Sequence, residues 1–219
     1  MSNPDAATPR ERYRAQVREE IKKHAWEQIA AAGASALSLN AIAKQIGMSG
    51  PALYRYFASR DELITELITD AYRSLADTFR ARAAAGADLG DLAHTLRAWA
   101  LDDPQRYFLL YGTPVPGYRA PEDTTRTAAQ IMAVLLDACP DEEPPGTPPS
   151  PPSPLQSHLG RHRAWAEQHP APPAALHRAL TFWTRLHGVL SLELAGHFTG
   201  MGFDPARLYT AEAQTITGQ

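Results

Sequence analysis

The hydrophobic residues of this 219-residue chain recur almost everywhere with the spacing of an α-helix, and no stretch alternates convincingly with period two. For example, Leu39, Ile42, Ala43 and Ile46 have the i, i+3, i+4, i+7 spacing of a helix that is buried on one face. We therefore expect an all-α fold. Hydrophobic residues make up 44% of the chain, which is enough for a core. No segment approaches the roughly 20 apolar residues that a membrane helix needs, so we expect no membrane partner.

Glycine and serine residues mark the helix ends near the N-terminus. Glycine tolerates a positive φ, so we expect it to end the first helix at Gly33 and to separate the second and third helices at Gly47. Ser38 and Ser49 are suited to cap the second and third helices. The third helix is expected to run through Phe57. The pattern predicts three short helices in sequence.

Helical spacing continues through the rest of the chain. Ser59, with Glu62 three residues later, predicts a capping box and the start of a long fourth helix. Eight prolines exclude a helix from residues 140–154, which we expect to form a flexible surface insertion. Further helices are expected at residues 89–101, 104–111, 122–138, 155–168, 173–199 and 204–215.

Charge is distributed unevenly along the sequence. Residues 1–60 carry nine Lys and Arg against five Asp and Glu, a net of +4, which leaves −7 for the remainder. A basic head on an acidic body suggests a polyanion partner at the head, although chance segregation of solvated charges explains it equally well. The polar N-terminus shows no signal peptide, and the single Cys139 excludes an internal disulfide. We therefore expect a cytoplasmic protein.

Two short helices that meet at Gly47, the second with polar and aromatic residues outside, have the pattern of a helix-turn-helix. Residues 39–63 closely resemble the tetracycline-repressor (TetR) family in an aliphatic-Ala pair, the turn glycine, Leu-Tyr-x-x-Phe, and a basic-acidic-x-Leu run. The resemblance implies a three-helix DNA-binding domain at 1–58, ordered from about residue 10. It also implies a helical ligand-binding and dimerisation domain at 59–219. A helix-turn-helix that packs against protein is the alternative.

The resemblance also assigns roles to residues of the motif. Phosphates would be held by Ser38, Lys44, Tyr54, Tyr56 and Arg60, and Arg55 offers a further guanidinium. Because Gly50, Pro51 and Ala52 lack long polar side chains, DNA shape is expected to carry much of the specificity. Arg10, Arg12 and Arg14 are expected either to form an arm that reaches phosphates or to lie in a disordered tail. Bases would be read by Asn40, Ser49, Gly50, Pro51 and Ala52.

Near the C-terminus, Trp183-x-x-x-His187-Gly188 resembles a C-terminal domain found in one TetR subgroup and named for these three residue types. A seam at positions 180, 183, 187, 190, 194 and 197 has the 3-and-4 spacing of a packed helix stripe. TetR proteins dimerise through their last two main helices, which implies a homodimer through residues of about 174–199 and 204–216. Ordinary monomer core also explains the seam.

The family resemblance further implies a cavity in the body for a small effector. The aromatic composition suggests an apolar or aromatic ligand with few polar anchors. His187 is a candidate anchor, although it is equally well explained as a satisfied core histidine, and most candidates are more often core than lining. The candidate lining residues are Phe79, Trp99, Tyr107, Phe108, Tyr111, Tyr118, Met132, Leu135, Trp165, Phe182, Trp183, Leu186 and His187.

Enzyme and metal motifs are missing from the sequence. It has no P-loop, Gly-x-Ser-x-Gly, dinucleotide glycine pattern or His-Glu-x-x-His, and His158 and His162 lack nearby carboxylates. We expect no enzyme activity, metal or cofactor. The sequence predicts a nucleoid-associated repressor that binds a palindromic operator as a homodimer and is released by its ligand. The alternatives are a helix-turn-helix dimer without a small ligand, architectural or controlled by a protein, and an enzyme that merely shares the fold.

Overall fold

The computed structural model describes residues 8–119, 122–139, 151–166 and 169–218, and within these ranges every regular element is a helix. The expected all-α fold is confirmed. Two short 3-10 turns lie at Ala34–Ala36 and Ala164–Ala166. The α-helices are α1 Pro9–Ala32, α2 Leu39–Gln45, α3 Gly50–Leu53, α4 Arg60–Ala84, α5 Leu89–Asp102, α6 Pro104–Tyr111, α7 Glu122–Asp137, α8 Pro154–Arg161, α9 Pro173–Leu194 and α10 Pro205–Thr217.

The ends of the first two helices follow from the cap residues. Gly33 ends α1 with φ +78°, a conformation that costs glycine little. Ser38 precedes α2, and its hydroxyl accepts a hydrogen bond from the Ala41 N–H at 3.3 Å. Gly47, with φ +68°, lies in the turn between α2 and α3. These breaks agree with the sequence prediction.

Three details at α3 and α4 differ from the prediction. Ser49 precedes α3 but its side chain makes no capping hydrogen bond, and α3 ends at Leu53 instead of running through Phe57. The reason is that the Tyr56 N–H donates to the Leu53 carbonyl at 2.8 Å, an i→i+3 bond that tightens the chain into a turn. At the start of α4, the Ser59 hydroxyl accepts from the Glu62 N–H at 3.1 Å. The Glu62 carboxylate accepts from Ala58, so the predicted capping box is only half formed.

By packing, the chain divides into two compact units, Met1–Asp70 with Thr113–Ala120, and Ala71–Gly112 with Pro121–Gln219. The division falls inside α4, some residues beyond the expected domain start at residue 59. The core of the first unit is made by α1, α2, α3 and the first turns of α4. Its fully buried side chains are Ile21, Ala25, Ile42, Leu53, Phe57, Leu63, Ile64 and Leu67.

The second unit is a helical body with a continuous core built from the later part of α4 and from α5 to α10. α9 is its central element, because it contributes a stripe of buried residues spaced three and four apart. That stripe is Leu176, Ala179, Phe182, Leu186 and Leu190. α9 ends at Leu194, five residues before the predicted end, and Gly196 then adopts φ +77° in a run of turns.

The prediction of one helix over residues 155–168 is wrong, since α8 ends at Arg161. Hydrogen bonds of one side chain explain the difference. The Arg163 guanidinium donates to the carbonyls of Gly160 at 3.0 Å, His169 at 2.7 Å and Ala171 at 2.8 Å. These bonds hold the chain in an irregular path after α8.

The proline-rich segment predicted at 140–154 lies mostly outside the described residues, which resume at residue 151. The predicted segment ends one residue too late, because Pro154 is the first residue of α8. Proline is well suited there, where its missing N–H has no helical partner to lose. Ser153 and Gln156 complete a capping box before it. Among the described residues, no helix is long and apolar enough to cross a membrane.

Candidate nucleic-acid interface and effector site

The α2–α3 pair has one buried and one exposed side. Leu53 and Phe57 are fully buried, and the Met48 N–H donates to the Ala43 carbonyl at 2.8 Å, which closes the turn between the helices. Six of the predicted DNA-reading residues are exposed and the other five are half-buried. The exposed six are Asn40, Lys44, Ser49, Pro51, Tyr54 and Arg55, and the half-buried five are Ser38, Gly50, Ala52, Tyr56 and Arg60.

The two helices also meet at Asn40 and Gly50. A Cβ placed on Gly50 would lie 3.5 Å from the Asn40 Oδ1 atom, so the two proposed base-reading positions are neighbours. Lys44 and the Arg55 side chain are exposed cations without an ion-pair partner among the described residues. The α2–α3 pair and the turn after it therefore carry exposed polar groups, two exposed cations and an exposed tyrosine, Tyr54.

Arg60 is held by the protein itself. Its Nε donates to the Leu37 carbonyl at 3.1 Å, and its Nη2 donates to the carbonyls of Ala34 at 2.8 Å and Ser35 at 3.2 Å. The guanidinium thereby fixes the 3-10 turn between α1 and α2. The phosphate contact that the family resemblance assigns to Arg60 stays a prediction.

The arginines expected in an arm or a disordered tail are helical instead. Thr8 and Glu11 form a capping box, with the Glu11 N–H donating to the Thr8 hydroxyl at 3.3 Å and the Thr8 N–H donating to the Glu11 carboxylate at 2.7 Å. α1 therefore begins at Pro9 and includes Arg10, Arg12 and Arg14. The prediction missed this helix start because the N-terminal turn of α1 has no apolar periodicity.

An ion-pair network around a buried lysine, which sequence reasoning missed, joins α1 to α4 within the first unit. Lys22 is 9% exposed, and its ammonium lies 2.7 Å from Asp70 and 2.6 Å from Glu19. Burial alone would lower the pKa of Lys22, but hydrogen bonds to these two carboxylates raise it above its usual value. Arg18 pairs with Glu66 in the same network. The one available signal was a lysine beside the apolar stripe of α1.

Four of the predicted effector residues form one aromatic cluster in the second unit. The Tyr107 hydroxyl lies 3.0 Å from His187 Nδ1 and 2.9 Å from the Ser191 hydroxyl. The rings of Tyr111 and Trp183 each have their centroid 4.3 Å from that of His187. Ser191 was not predicted, although it lies one helical turn after His187 on α9.

The aromatic cluster is electrically neutral. Burial lowers the pKa of His187 to about 3 and raises the pKa of Tyr111 well above its usual value. Among the described residues, the Tyr111 hydroxyl and His187 Nε2 are buried and have no hydrogen-bond partner. Unpaired buried polar atoms are costly, and such atoms commonly mark a place where a water or a ligand binds. The cluster is therefore suited to a neutral ligand.

The remaining effector candidates belong to other parts of the molecule. Phe79, Phe182, Leu186, Leu135 and Met132 lie in the core of the second unit, where Phe108 and Trp165 pack against them. Trp99 lines an open cleft of about 560 Å³, whose other lining residues are Thr78, Arg82, Asp91, His94, Thr95, Ala98 and Asp102. Tyr118 lies in the loop after α6, with the first unit.

The α9–α10 region carries exposed apolar side chains. Leu192 on α9 is 45% exposed, and Met201 and Phe203 in the connection to α10 are 63% and 41% exposed. Gly188 is exposed, and a Cβ placed on it would meet nothing within 4 Å. Of the predicted seam, Leu190 is buried and Trp183 packs on the core, whereas His197 is exposed.

A helix-turn-helix with an outward-facing polar surface, followed by a helical body with a neutral aromatic cluster, defines a transcriptional regulator. Comparison with protein families agrees. Residues 21–67 match the model of the tetR family of bacterial regulatory proteins, and residues 89–216 match the model of the tetracyclin repressor-like C-terminal domain. The chain belongs to the TetR family. It is a regulator and not an enzyme, as expected, whereas the Trp-His-Gly subgroup stays a prediction.

Individual relatives support the assignment. The chain is 35% identical over 215 residues to the HTH-type transcriptional regulators Mb1846 of Mycobacterium bovis and Rv1816 of Mycobacterium tuberculosis, covering 93% of this chain and 92% of each relative. The solved structure of SCO4313 is 68% identical, with a TM-score of 0.88, covering 97% of this chain and all of that one. A Rhodococcus sp. RHA1 protein of unknown function, 19% identical with a TM-score of 0.65 over 99% and 98% of the chains, shares the fold.

Proposed function

We propose that this chain is a repressor that binds a palindromic operator as a homodimer through α2 and α3, and that a small apolar or aromatic ligand releases it. It would act in the cytoplasm at the nucleoid. The observation that carries the proposal is that Asn40, Lys44, Tyr54 and Arg55, in the α2–α3 pair and the turn after it, are all exposed. A helix of this kind fits the major groove of DNA, which is wide enough for one helix.

The proposed contacts divide into contacts to the bases and contacts to the phosphates. Asn40 and the first turn of α3 would lie nearest the base edges, and Gly50, Pro51 and Ala52 offer backbone and apolar contact, for instance to a thymine methyl group. Lys44, Arg55, Tyr54 and the half-buried Tyr56 and Ser38 would hold phosphates. Since few long polar side chains reach the bases, the shape of the duplex would carry much of the specificity.

Replacement of Lys44 by alanine tests the phosphate contact. Without the Lys44 ammonium, the phosphate it contacts would keep its counterion when the protein binds. The slope of log affinity against log salt should therefore become shallower by about 0.9. The measurement is a salt titration of binding to a duplex selected by the wild-type protein from a random library. Arg161→Ala, which removes an exposed cation from α8 in the body, is the control and should leave the slope unchanged. An unchanged slope in Lys44→Ala would exclude the contact.

The homodimer would form through α9 and α10. Support comes from Leu192, Met201 and Phe203, three large apolar side chains that are substantially exposed at one end of this helix pair. The uncovered Gly188 lets a second helix approach closely. Exposed apolar groups that lie together commonly mark an interface, and a second copy with the same patch would cover them through a twofold axis.

Leu192→Glu should therefore shift the protein from dimer to monomer, because it buries an unpaired charge in the proposed interface. Sedimentation velocity measures the change, and operator affinity should fall with it, since a monomer presents one reading surface instead of two. Leu155→Glu is a matched control, because Leu155 is 50% exposed and lies on α8. If Leu192→Glu remained a dimer, this interface would be wrong.

The effector would bind at the cluster of Tyr107, Tyr111, Trp183 and His187. The buried, unpaired Tyr111 hydroxyl and His187 Nε2 support this place, and the neutrality of the cluster favours an uncharged ligand. A hundredfold loss of operator affinity requires about 2.7 kcal/mol of coupling, a usual magnitude for allostery. The ligand must supply it through contacts that differ between the free and the DNA-bound protein.

A displacement screen tests this effector site. Neutral aromatic compounds should release the selected duplex from the wild-type protein, whereas their carboxylate analogues should not. Trp183→Leu should weaken the release by a compound found in this way, and Trp26→Leu, on α1 in the first unit, should not. If compounds that saturate the body left operator affinity unchanged, the ligand-release proposal would fail while DNA binding stood.

A further inference from the structure

Two arginines of α1 reach the chain that follows α3. Arg14 Nη2 donates to the Arg55 carbonyl at 2.8 Å, and Arg18 Nη1 donates to the Tyr56 carbonyl. The two arginines are four residues apart on α1, so they lie one above the other on the same side of the helix. The carbonyls they hold belong to successive residues of the turn at 54–57.

Each guanidinium also packs on a ring of the same turn. The Arg14 guanidinium carbon lies 5.3 Å from the centre of the Tyr56 ring, and that of Arg18 lies 4.1 Å from the centre of the Phe57 ring. Both distances are within the range of cation–π contacts. Arg18 in addition pairs with Glu66 on α4, which fixes its own position. The backbone and the aromatic side chains of one turn are thus held by the same two cations.

This arrangement matters because α3 has only four residues. The N–H groups of the turn donate to carbonyls of α3, Tyr54 to Gly50 at 3.1 Å and Tyr56 to Leu53 at 2.8 Å. The helix does not continue, however, so no helical N–H follows to bind the carbonyls of the turn itself. Tyr54, Arg55 and Tyr56, which the proposed function places at the DNA backbone, all lie in that turn. Their geometry depends on contacts made from outside.

We propose that Arg14 and Arg18 are positioning residues of the DNA interface, which fix the turn at 54–57 through its carbonyls and rings and do not themselves hold phosphate. The inference rests on the proposed DNA binding of this unit. It differs from the arm expected from the sequence, in which Arg14 would touch phosphate directly. According to this proposal, some arginines near the N-terminus position the DNA-contacting turn, and others remain available to contact DNA.

The test uses the full chain with Arg14→Gln and Arg18→Gln combined. Binding to the duplex selected by the wild-type protein should weaken at least about tenfold, while the slope of log affinity against log salt stays at the wild-type value. Direct phosphate contacts would instead lower that slope by about 0.9 for each arginine. Affinity is measured well below the thermal midpoint of each variant, with the active fraction set by stoichiometric titration, so that unfolding does not contribute.

Arg10→Gln is the matched control, since Arg10 lies one turn earlier on α1 and is exposed. Arg10→Gln should not show a tenfold loss of affinity for the duplex with an unchanged salt slope. Arg14→Lys/Arg18→Lys keeps both charges and one donor nitrogen on each side chain, and should recover part of the affinity. A folded glutamine variant with wild-type affinity, or one with a lowered salt slope, would overturn the proposal.

A measurement without DNA separates this inference from the proposed function. Amide hydrogen exchange of residues 54–58 should become faster in the glutamine variant and stay at the wild-type rate in Arg10→Gln. Unchanged exchange in the glutamine variant would show that the arginines do not hold the turn, whether or not the protein binds DNA. Failure of the wild-type protein to select any duplex would instead reject DNA binding itself.

Discussion

A helix of four residues cannot hold itself in place, and the surface with which this protein would meet DNA is built on one. α3 is anchored by Leu53 and Phe57, both fully buried between α1, α2 and the start of α4. Replacing a buried leucine or phenylalanine with alanine typically costs about 2–5 kcal/mol, so these two side chains dominate the placement of the short helix. The exposed residues beside them owe their position to this packing.

The positive charge of the first sixty residues is only partly available to a polyanion. Lys22 is buried among carboxylates, and Arg14, Arg18 and Arg60 donate to backbone carbonyls within the same unit. Lys44 and the Arg55 side chain remain exposed on the α2–α3 pair. Net charge therefore indicates the right end of the molecule but not the cations that would touch DNA. Of the six arginines in these sixty residues, three donate to backbone carbonyls of the described residues and three do not.

Features set by neighbouring residues could be predicted from the sequence, and those set by distant contacts could not. Gly33, Ser38 and the bounds of α6 follow from local caps and breaks, as does the helix-turn-helix. The early end of α8 depends on the Arg163 side chain, one of whose partners is the Ala171 carbonyl eight residues away. The end of α3 depends on the bond from the Tyr56 N–H to the Leu53 carbonyl, which the residue pattern does not show. The aromatic residues that meet around His187 come from α6 and α9, which no local pattern brings together.

The central claim is that two copies of this chain read a symmetric DNA site through α2 and α3. Hydroxyl-radical footprinting on the duplex that the protein selects from a random library tests it most directly. We expect two equivalent protected half-sites, centred about 10 base pairs or modestly further apart, with two chains bound per duplex. A single unpaired half-site occupied by one chain would contradict it.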